Sequence, residues 1–273
     1  MHDDEPLPDL VQRYAQRLQQ PARRTPPPPL ARVVAIDCAR LAKAGAIVPG
    51  AAKTRLSEEF RIIKRPLLKQ AESLASGAVI LVTSCRPNEG KTFVAVNLAL
   101  SLASERDRRV ILVDADIYTR AALRLFGIAD QPGLVDLLLD ERMGLGDVLL
   151  PTALPQLSLL PAGRAHPSAT ELFASQRMAA LIAELVDGHP DAIVVIDAPP
   201  VLASTEPAVL AAHAGQAILV TEYNRTPKRI VERALSMLAP CANIAFVINK
   251  IDAAIDGREL DQAYRYGASG PDV

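Results

Sequence analysis

Residues 78–92 read AVILVTSCRPNEGKT, and the fold follows from them. The run 78–83 is unbroken and apolar or β-branched, which suits a strand buried on both faces. Polar turn residues follow, then Gly90-Lys91-Thr92 and a segment, 91–104, with helical spacing. A strand, a turn and a helix opening on Gly-Lys-Thr form the end of a phosphate-binding loop. Backbone N–H groups and the helix N-terminus cradle phosphate oxygens, Lys91 neutralises the β/γ charge, and the Thr92 hydroxyl ligates Mg²⁺. The candidate nucleotide-binding residues here are Arg86, Pro87, Asn88, Glu89, Gly90, Lys91, Thr92 and Phe93. Cys85 replaces the usual first glycine; a small buried side chain explains it better than a reactive thiol does. Asn88 falls where a positive φ is needed, which Asn tolerates best after Gly.

The same alternation continues along the chain. Strand-like runs recur at 109–113, 157–160, 192–196, 216–221 and 243–248, and helical spacing at 57–74, 168–186, 205–212 and 227–238, with Pro66 expected to kink the first of these. Buried strands alternating with helices predict an α/β fold with a doubly wound, mainly parallel sheet. Ligands in such sheets sit at the carboxyl ends of the strands.

Acids stand at those ends. Asp114-Ala115-Asp116 follows the second strand, and Asp197-Ala198-Pro199-Pro200 follows an apolar run as a Walker B acid does. A lone acid after a strand is commonly a turn residue, but three beside a phosphate loop point to a nucleotide–Mg²⁺ site. Thr92, Asp114, Asp116 and Asp197 are the candidate metal ligands; Lys91 and the three aspartates are the candidate catalytic groups. Asn249-Lys250-Ile251-Asp252, after the last run, is placed to clasp a base. It would suit guanine through Asp252, yet Asp-x-x-Gly is missing after the Walker B strand, so adenine is favoured and a GTPase is the weaker alternative.

Composition sets the outer limits. The chain has 273 residues, 30 basic and 31 acidic side chains and 49% hydrophobic residues, enough for a core without staples. Three cysteines at wide spacing form neither a disulfide framework nor a zinc pattern, which suits a reducing cytoplasm. No uninterrupted apolar stretch is long enough to span a membrane, and the acidic N-terminus is unlike a secretory signal. Seven of the 22 prolines fall in residues 1–30, expected to be a flexible Pro-rich arm. Residues 11–70 hold 13 Lys/Arg against three acids. Only Tyr14 and Phe60 are interleaved with them, so nucleic-acid binding is not expected. The remaining divisions are a catalytic domain over 31–252, opened by a helical extension at 31–75, and a flexible tail at 253–273.

The motifs VTSCRPNEGKT (82–92), VILVDAD (110–116), IVVIDAPP (193–200) and INKID (248–252) together resemble the bacterial tyrosine autokinases of polysaccharide export. The likeness is strongest to the free-standing cytoplasmic branch associated with exosortase-type gene clusters. It extends through LSEEFRIIKRPLL (56–68), GLVDLLLDE (133–141), LSLLPAGRAHPSATELFASQRM (157–178) and PPVLASTE (199–206), covering about residues 31–252. The resemblance implies a P-loop ATPase scaffold with a deviant Walker A motif, shared with chromosome- and septum-positioning ATPases. It implies ATP and Mg²⁺ as cofactors, Asp114 and Asp116 as a second Walker-type motif holding the metal contact and a base for the tyrosine hydroxyl, and Asp197 as Walker B. Glu58, Arg61 and Lys64 fall on the family's Glu-x-x-Arg-x-x-Arg assembly motif, with Lys for the last Arg, implying a homo-oligomer. The phosphoacceptor cluster is reduced to Tyr264 and Tyr266.

Three functions compete. The first is an ATP-dependent protein-tyrosine autokinase regulating exopolysaccharide polymerisation or export. It would act in the cytoplasm, peripheral at the inner membrane through a membrane-anchored chain-length determinant protein. The second is a non-kinase ATPase switch, disfavoured because Arg86 replaces the early loop lysine of positioning ATPases. The third is the GTPase.

Overall fold

A computed structural model describes residues 33–73, 78–188 and 191–251. Seven strands form one sheet in the order β3-β4-β2-β5-β1-β6-β7: β1 (Val79–Ser84), β2 (Arg109–Asp114), β3 (Leu150–Pro151), β4 (Leu157–Leu160), β5 (Ala192–Asp197), β6 (Gln216–Glu222) and β7 (Ile244–Asn249). Every pairing is parallel except β3 with β4. The short β3 escapes the periodicity reading because two residues carry no pattern. The register sets Asp114 beside Asp197, and Asp197 beside Val82 of β1. Three functional loops therefore leave the sheet side by side.

Alternate strand residues feed two apolar layers. Val79 and Leu81 face one, with Leu134, Met178, Leu181, Leu210 and Ala234. Ile80 and Val82 face the other, with Leu41, Phe60, Leu67, Leu98 and Phe126. The helices of the second layer are α1 (Cys38–Lys43), α2 (Arg55–Ser73), α3 (Lys91–Leu102) and α4 (Ala121–Leu125). Those of the first are α5 (Leu134–Leu139), α6 (Leu145–Val148), α7 (Ala169–Phe173), α8 (Gln176–Asp187), α9 (Glu206–Leu210) and α10 (Lys228–Met237). The single helix expected over 168–186 is two, because the Ser175 side chain caps a new start by accepting from Met178 N–H at 3.2 Å. The helix expected over 205–212 ends at Leu210 and tightens into a 3₁₀ turn, Ala211–His213. Pro66 lies inside α2, which runs on past it.

Lys64 corrects the sequence reading. It does not stand on an outer row with Glu58 and Arg61. Its side chain is 2% exposed and turned inward, its Nζ 2.6 Å from the Ser101 carbonyl, 3.0 Å from Ser104 Oγ and 2.7 Å from Glu105 Oε1. The ammonium caps the last turn of α3, where unpaired carbonyls favour a cation. Lys64 therefore ties α2 to the phosphate-loop helix. Glu58 and Arg61 remain outside, paired at 2.7 Å. Lys64→Ala should cost about 2–4 kcal/mol in urea denaturation, below the usual cost of breaking a fully buried pair because Glu105 can rehydrate. Unchanged stability would return Lys64 to the surface.

Candidate nucleotide site

The loop from Ser84 to Gly90 is shaped by its own polar side chains and clamped from two neighbouring strands. Asn88 has φ 67° and Gly90 φ 100°, so the expected left-handed residue is present. A Cβ on Gly90 would collide with the Asn249 amide. Ser84 Oγ donates to the Arg86 carbonyl at 2.8 Å. Glu89 is 3% exposed, one carboxylate oxygen accepting from Arg86 N–H at 2.8 Å and the other from Thr226 Oγ at 2.6 Å. Its side chain serves the loop's shape. Asn249 Nδ2 donates to the Glu89 carbonyl at 2.9 Å, and Lys250 Nζ to the Asn88 carbonyl at 2.6 Å while pairing with Glu222 at 3.1 Å. Here the two side chains placed at the base-clasping position hold the loop itself. Thr226 and Glu222 carry no motif and were not legible in the sequence. Burial first, then Glu89, pushes the Cys85 thiol up to about 12, so Cys85 is an inert filler.

Helix α3 opens at Lys91, with its first N–H groups unpaired within the helix and facing the phosphate position. Lys91 Nζ lies 2.6 Å from Asp116 Oδ2, 3.1 Å from Thr92 Oγ and 4.0 Å from Asp197 Oδ1. Asp116 is steadied by Thr119 N–H on its Oδ1 at 3.0 Å, and its own N–H donates to Asp114 Oδ1 at 3.1 Å. Burial opposes the Lys91 charge, but Asp197, Asp116 and Asp114 outweigh it, so the ammonium titrates above its ordinary range. Burial likewise raises Asp116, but the Lys91 charge and hydrogen bond prevail and hold it below the carboxylate range. Asp114 goes strongly up, from burial and then the charges of Asp197 and Asp116. Burial pushes Asp197 up to about 6 against the pull of Lys91.

Asp114 Oδ2 and both Asp197 oxygens are buried with no hydrogen-bond partner. Orphaned carboxylate oxygens beside a threonine hydroxyl are a hard oxygen donor set and fit Mg²⁺ with a triphosphate. Among the described residues no group of three or more His, Cys, Asp or Glu side chains is arranged to hold an ion alone. That suits Mg²⁺, which takes one or two carboxylates and completes its shell with substrate phosphates and water.

Asp197 gives a pH signature. Its unfolded carboxyl titrates near 4 (roughly 3.9) and its folded one at about 6. Between those values the folded state holds the extra proton, so the Asp197 contribution to stability is largest below pH 4 and falls as pH rises to 6. Nucleotide-free Asp197→Asn should therefore melt above wild type at pH 7, with the gap closing toward pH 4. A gap constant over pH 4–7 in calorimetry would refute the assignment.

A cavity of about 650 Å³ extends from the loop, lined by Asn88, Lys91, Thr92, Phe93, Asp116 and Pro199 among others. Tyr264, Tyr266, Asp252 and the residues of the expected arm and tail lie outside the described residues. Arg120, near the second acidic motif, has φ 47° and pairs with Asp130 at 3.0 Å, outside the lining of the phosphate cavity.

A family model described as ParA: NUBPL iron-transfer P-loop NTPase matches residues 76–255. The tyrosine-protein kinase wzc of Salmonella typhimurium is 35% identical over 175 residues, covering 63% of this chain and 23% of the relative. The chain thus spans less than a quarter of that protein. The tyrosine-protein kinase YwqD of Bacillus subtilis is 27% identical over 218 residues, covering 80% of this chain and 88% of the relative. Among solved structures, the kinase domain of VpsO aligns with a TM-score of 0.62 at 29% identity, covering 72% of this chain and 96% of that one. With its mainly parallel sheet, its phosphate loop at β1 and its aligned acids at β2 and β5, the chain belongs to the ParA family of P-loop NTPases, and the relatives it is similar to are named bacterial tyrosine-protein kinases.

Proposed function

We propose that the chain is an ATP-dependent protein-tyrosine kinase that phosphorylates its own kind and regulates exopolysaccharide polymerisation or export. The observation that carries this reading is the Lys91–Asp116 contact of 2.6 Å, both residues lining a cavity of about 650 Å³. Incoming β- and γ-phosphates compete for Lys91 and draw it off Asp116. The freed Asp116 carboxylate is positioned to accept a hydrogen bond from a tyrosine hydroxyl. Attack forms the bond from tyrosine oxygen to the γ-phosphorus and breaks the bond from that phosphorus to the β–γ bridging oxygen. ADP leaves, and the hydroxyl proton passes to Asp116 or to water. Asp116 acts more by orientation than by strong basicity, as suits a loose transition state. Thr92, Asp114 and Asp197 would hold Mg²⁺, which supplies charge neutralisation at the bridging oxygen when bound.

Adenine is the favoured base. The Asn249 and Lys250 side chains hold the loop, so a guanine clasp would rest on Asp252 alone. ATP and GTP titrations test this: tighter GTP binding, lost in Asp252→Ala, would make the protein a GTPase. Tyr264 and Tyr266 are the proposed acceptors, reached in trans from a neighbouring subunit. Self-association is assigned to the α2 face bearing Glu58 and Arg61, without Lys64. No helix among the described residues is long and apolar enough to cross a membrane. The proposed partner, by resemblance to the kinase relatives, is a membrane-anchored chain-length determinant protein that recruits the kinase to the inner membrane.

The ParA-type family model keeps the ATPase switch as the second reading. The Tyr264→Phe, Tyr266→Phe double variant separates acceptor from engine. Loss of label with ATP turnover retained supports tail phosphorylation; persistent label moves the acceptor elsewhere.

A further inference from the structure

The cavity beside Lys91 is lined by more than the phosphate loop. Asn249 and Lys250 grip the phosphate loop from the β7 side and do not line this cavity. Its far end is walled by Tyr118, from the loop after β2, and by Pro199, Pro200, Ala203 and Ser204, from the loop after β5. Two prolines, an alanine and a phenol ring present flat apolar walls, the kind of surface on which another aromatic ring packs.

Tyr118 is held in an unusual way. Its side chain is 61% exposed, yet its hydroxyl donates at 2.8 Å to Glu206 Oε1, and Glu206 is 3% exposed. The other Glu206 oxygen is buried without a hydrogen-bond partner, and so is Ser204 Oγ. A buried carboxylate with an unpaired oxygen is costly to keep, and among the described residues no ion pair offsets it. Glu206 opens α9, where a helix N-terminus favours a carboxylate, and its hydrogen bond also fixes a ring that would otherwise swing freely in water. The bond also ties the loop after β2, which carries Asp116, to the start of α9, which follows the loop after β5.

We propose that Tyr118 with the Pro199–Pro200 wall forms the subsite for the acceptor tyrosine ring, and that Glu206 is the positioning residue that fixes Tyr118. The identity of the ligand rests on the kinase reading above; the geometry of the subsite does not. Stacking there would direct an acceptor hydroxyl inward toward Asp116. Tyr118 is then a specificity-determining residue, and Glu206 acts through it.

The test uses the full chain with Mg²⁺, a non-hydrolysable ATP analogue and a tyrosine-containing hexapeptide. Binding is followed by calorimetry, and the KM for peptide phosphorylation is measured in parallel with ATP. Tyr118→Ala should raise the peptide Kd and KM at least tenfold, by a larger factor than it raises the nucleotide Kd. Tyr118→Phe and Glu206→Ala keep a ring but free it, and each should raise them about threefold. Glu206→Gln retains an acceptor oxygen for the phenol and should restore wild-type values, a rescue that a merely structural carboxylate would not show. A peptide Kd unchanged in Tyr118→Ala, an equal shift in peptide and nucleotide Kd, or a wild type that does not bind the peptide would each overturn the subsite. Peptide bound through Tyr118 with no phosphate transferred to it would support the subsite and overturn the kinase reading. Transfer that is indifferent to Tyr118 would do the reverse.

Discussion

Lys91→Ala should abolish phosphoryl transfer, lowering turnover by about a thousandfold or more while weakening Mg²⁺–ATP binding at least tenfold, which is about 1.4 kcal/mol. The binding loss is that of a charge-assisted bond to phosphate. The larger turnover loss reflects charge developing on the transferring group, where one preorganised donor contributes about 3–4 kcal/mol. The same change should destabilise the nucleotide-free protein, because Asp114, Asp116 and Asp197 share that ammonium and are 0%, 1% and 0% exposed. Stranding a buried charge costs about 3–5 kcal/mol. Asp114 and Asp197 take up protons readily, so the destabilisation should shrink as pH falls toward 5. Calorimetry at pH 7 and pH 5 reads both effects. Wild-type melting at pH 7 would mean that Lys91 is not their counter-charge.

Asp116→Asn should lower phosphoryl transfer to tyrosine by about 10²–10⁴, the range for a positioned proton acceptor, yet leave nucleotide affinity equal or tighter. The affinity statement follows from the 2.6 Å contact, since Asp116 is what phosphate must displace from Lys91. Stability should fall modestly, because Asp116 is the aspartate whose ionised form the fold favours. Asp114→Asn should instead raise it, since the fold disfavours its charge. Turnover assays and nucleotide titration separate the outcomes. A parallel loss of affinity and turnover would make Asp116 a nucleotide ligand.

The three aspartates show how far the sequence could be read. Their positions after strands were legible, because a buried parallel strand is a continuous apolar run and ends where polarity begins. Their division of labour was not. Asp114, Asp116 and Asp197 look alike in sequence, whereas their charge states depend on which oxygen Lys91 reaches across 25 residues of chain. Strand starts and ends at β1, β2, β4, β5, β6 and β7 fall within one residue of the apolar runs. The helical breaks at Ser175 and Leu210 depend on a single cap and a 3₁₀ turn, which spacing does not register. Lys64 misled for a related reason: its i, i+3, i+6 relation to Glu58 and Arg61 suggests one outer row. Six positions rotate a helix by about 600°, however, so Lys64 stands some 120° from Glu58 on the core side. Glu89 and Thr226 lie 137 residues apart and meet only because β6 flanks β1.

The most direct measurement is peptide mass spectrometry of the full chain after incubation with ATP and Mg²⁺, beside Lys91→Ala treated identically. Phosphate on tyrosine in wild type, at Tyr264 or Tyr266, and none in Lys91→Ala is the expected result. ATP consumed by wild type with every tyrosine unmodified, even in the presence of the proposed membrane-anchored partner, would contradict it and leave an ATPase switch on a kinase scaffold.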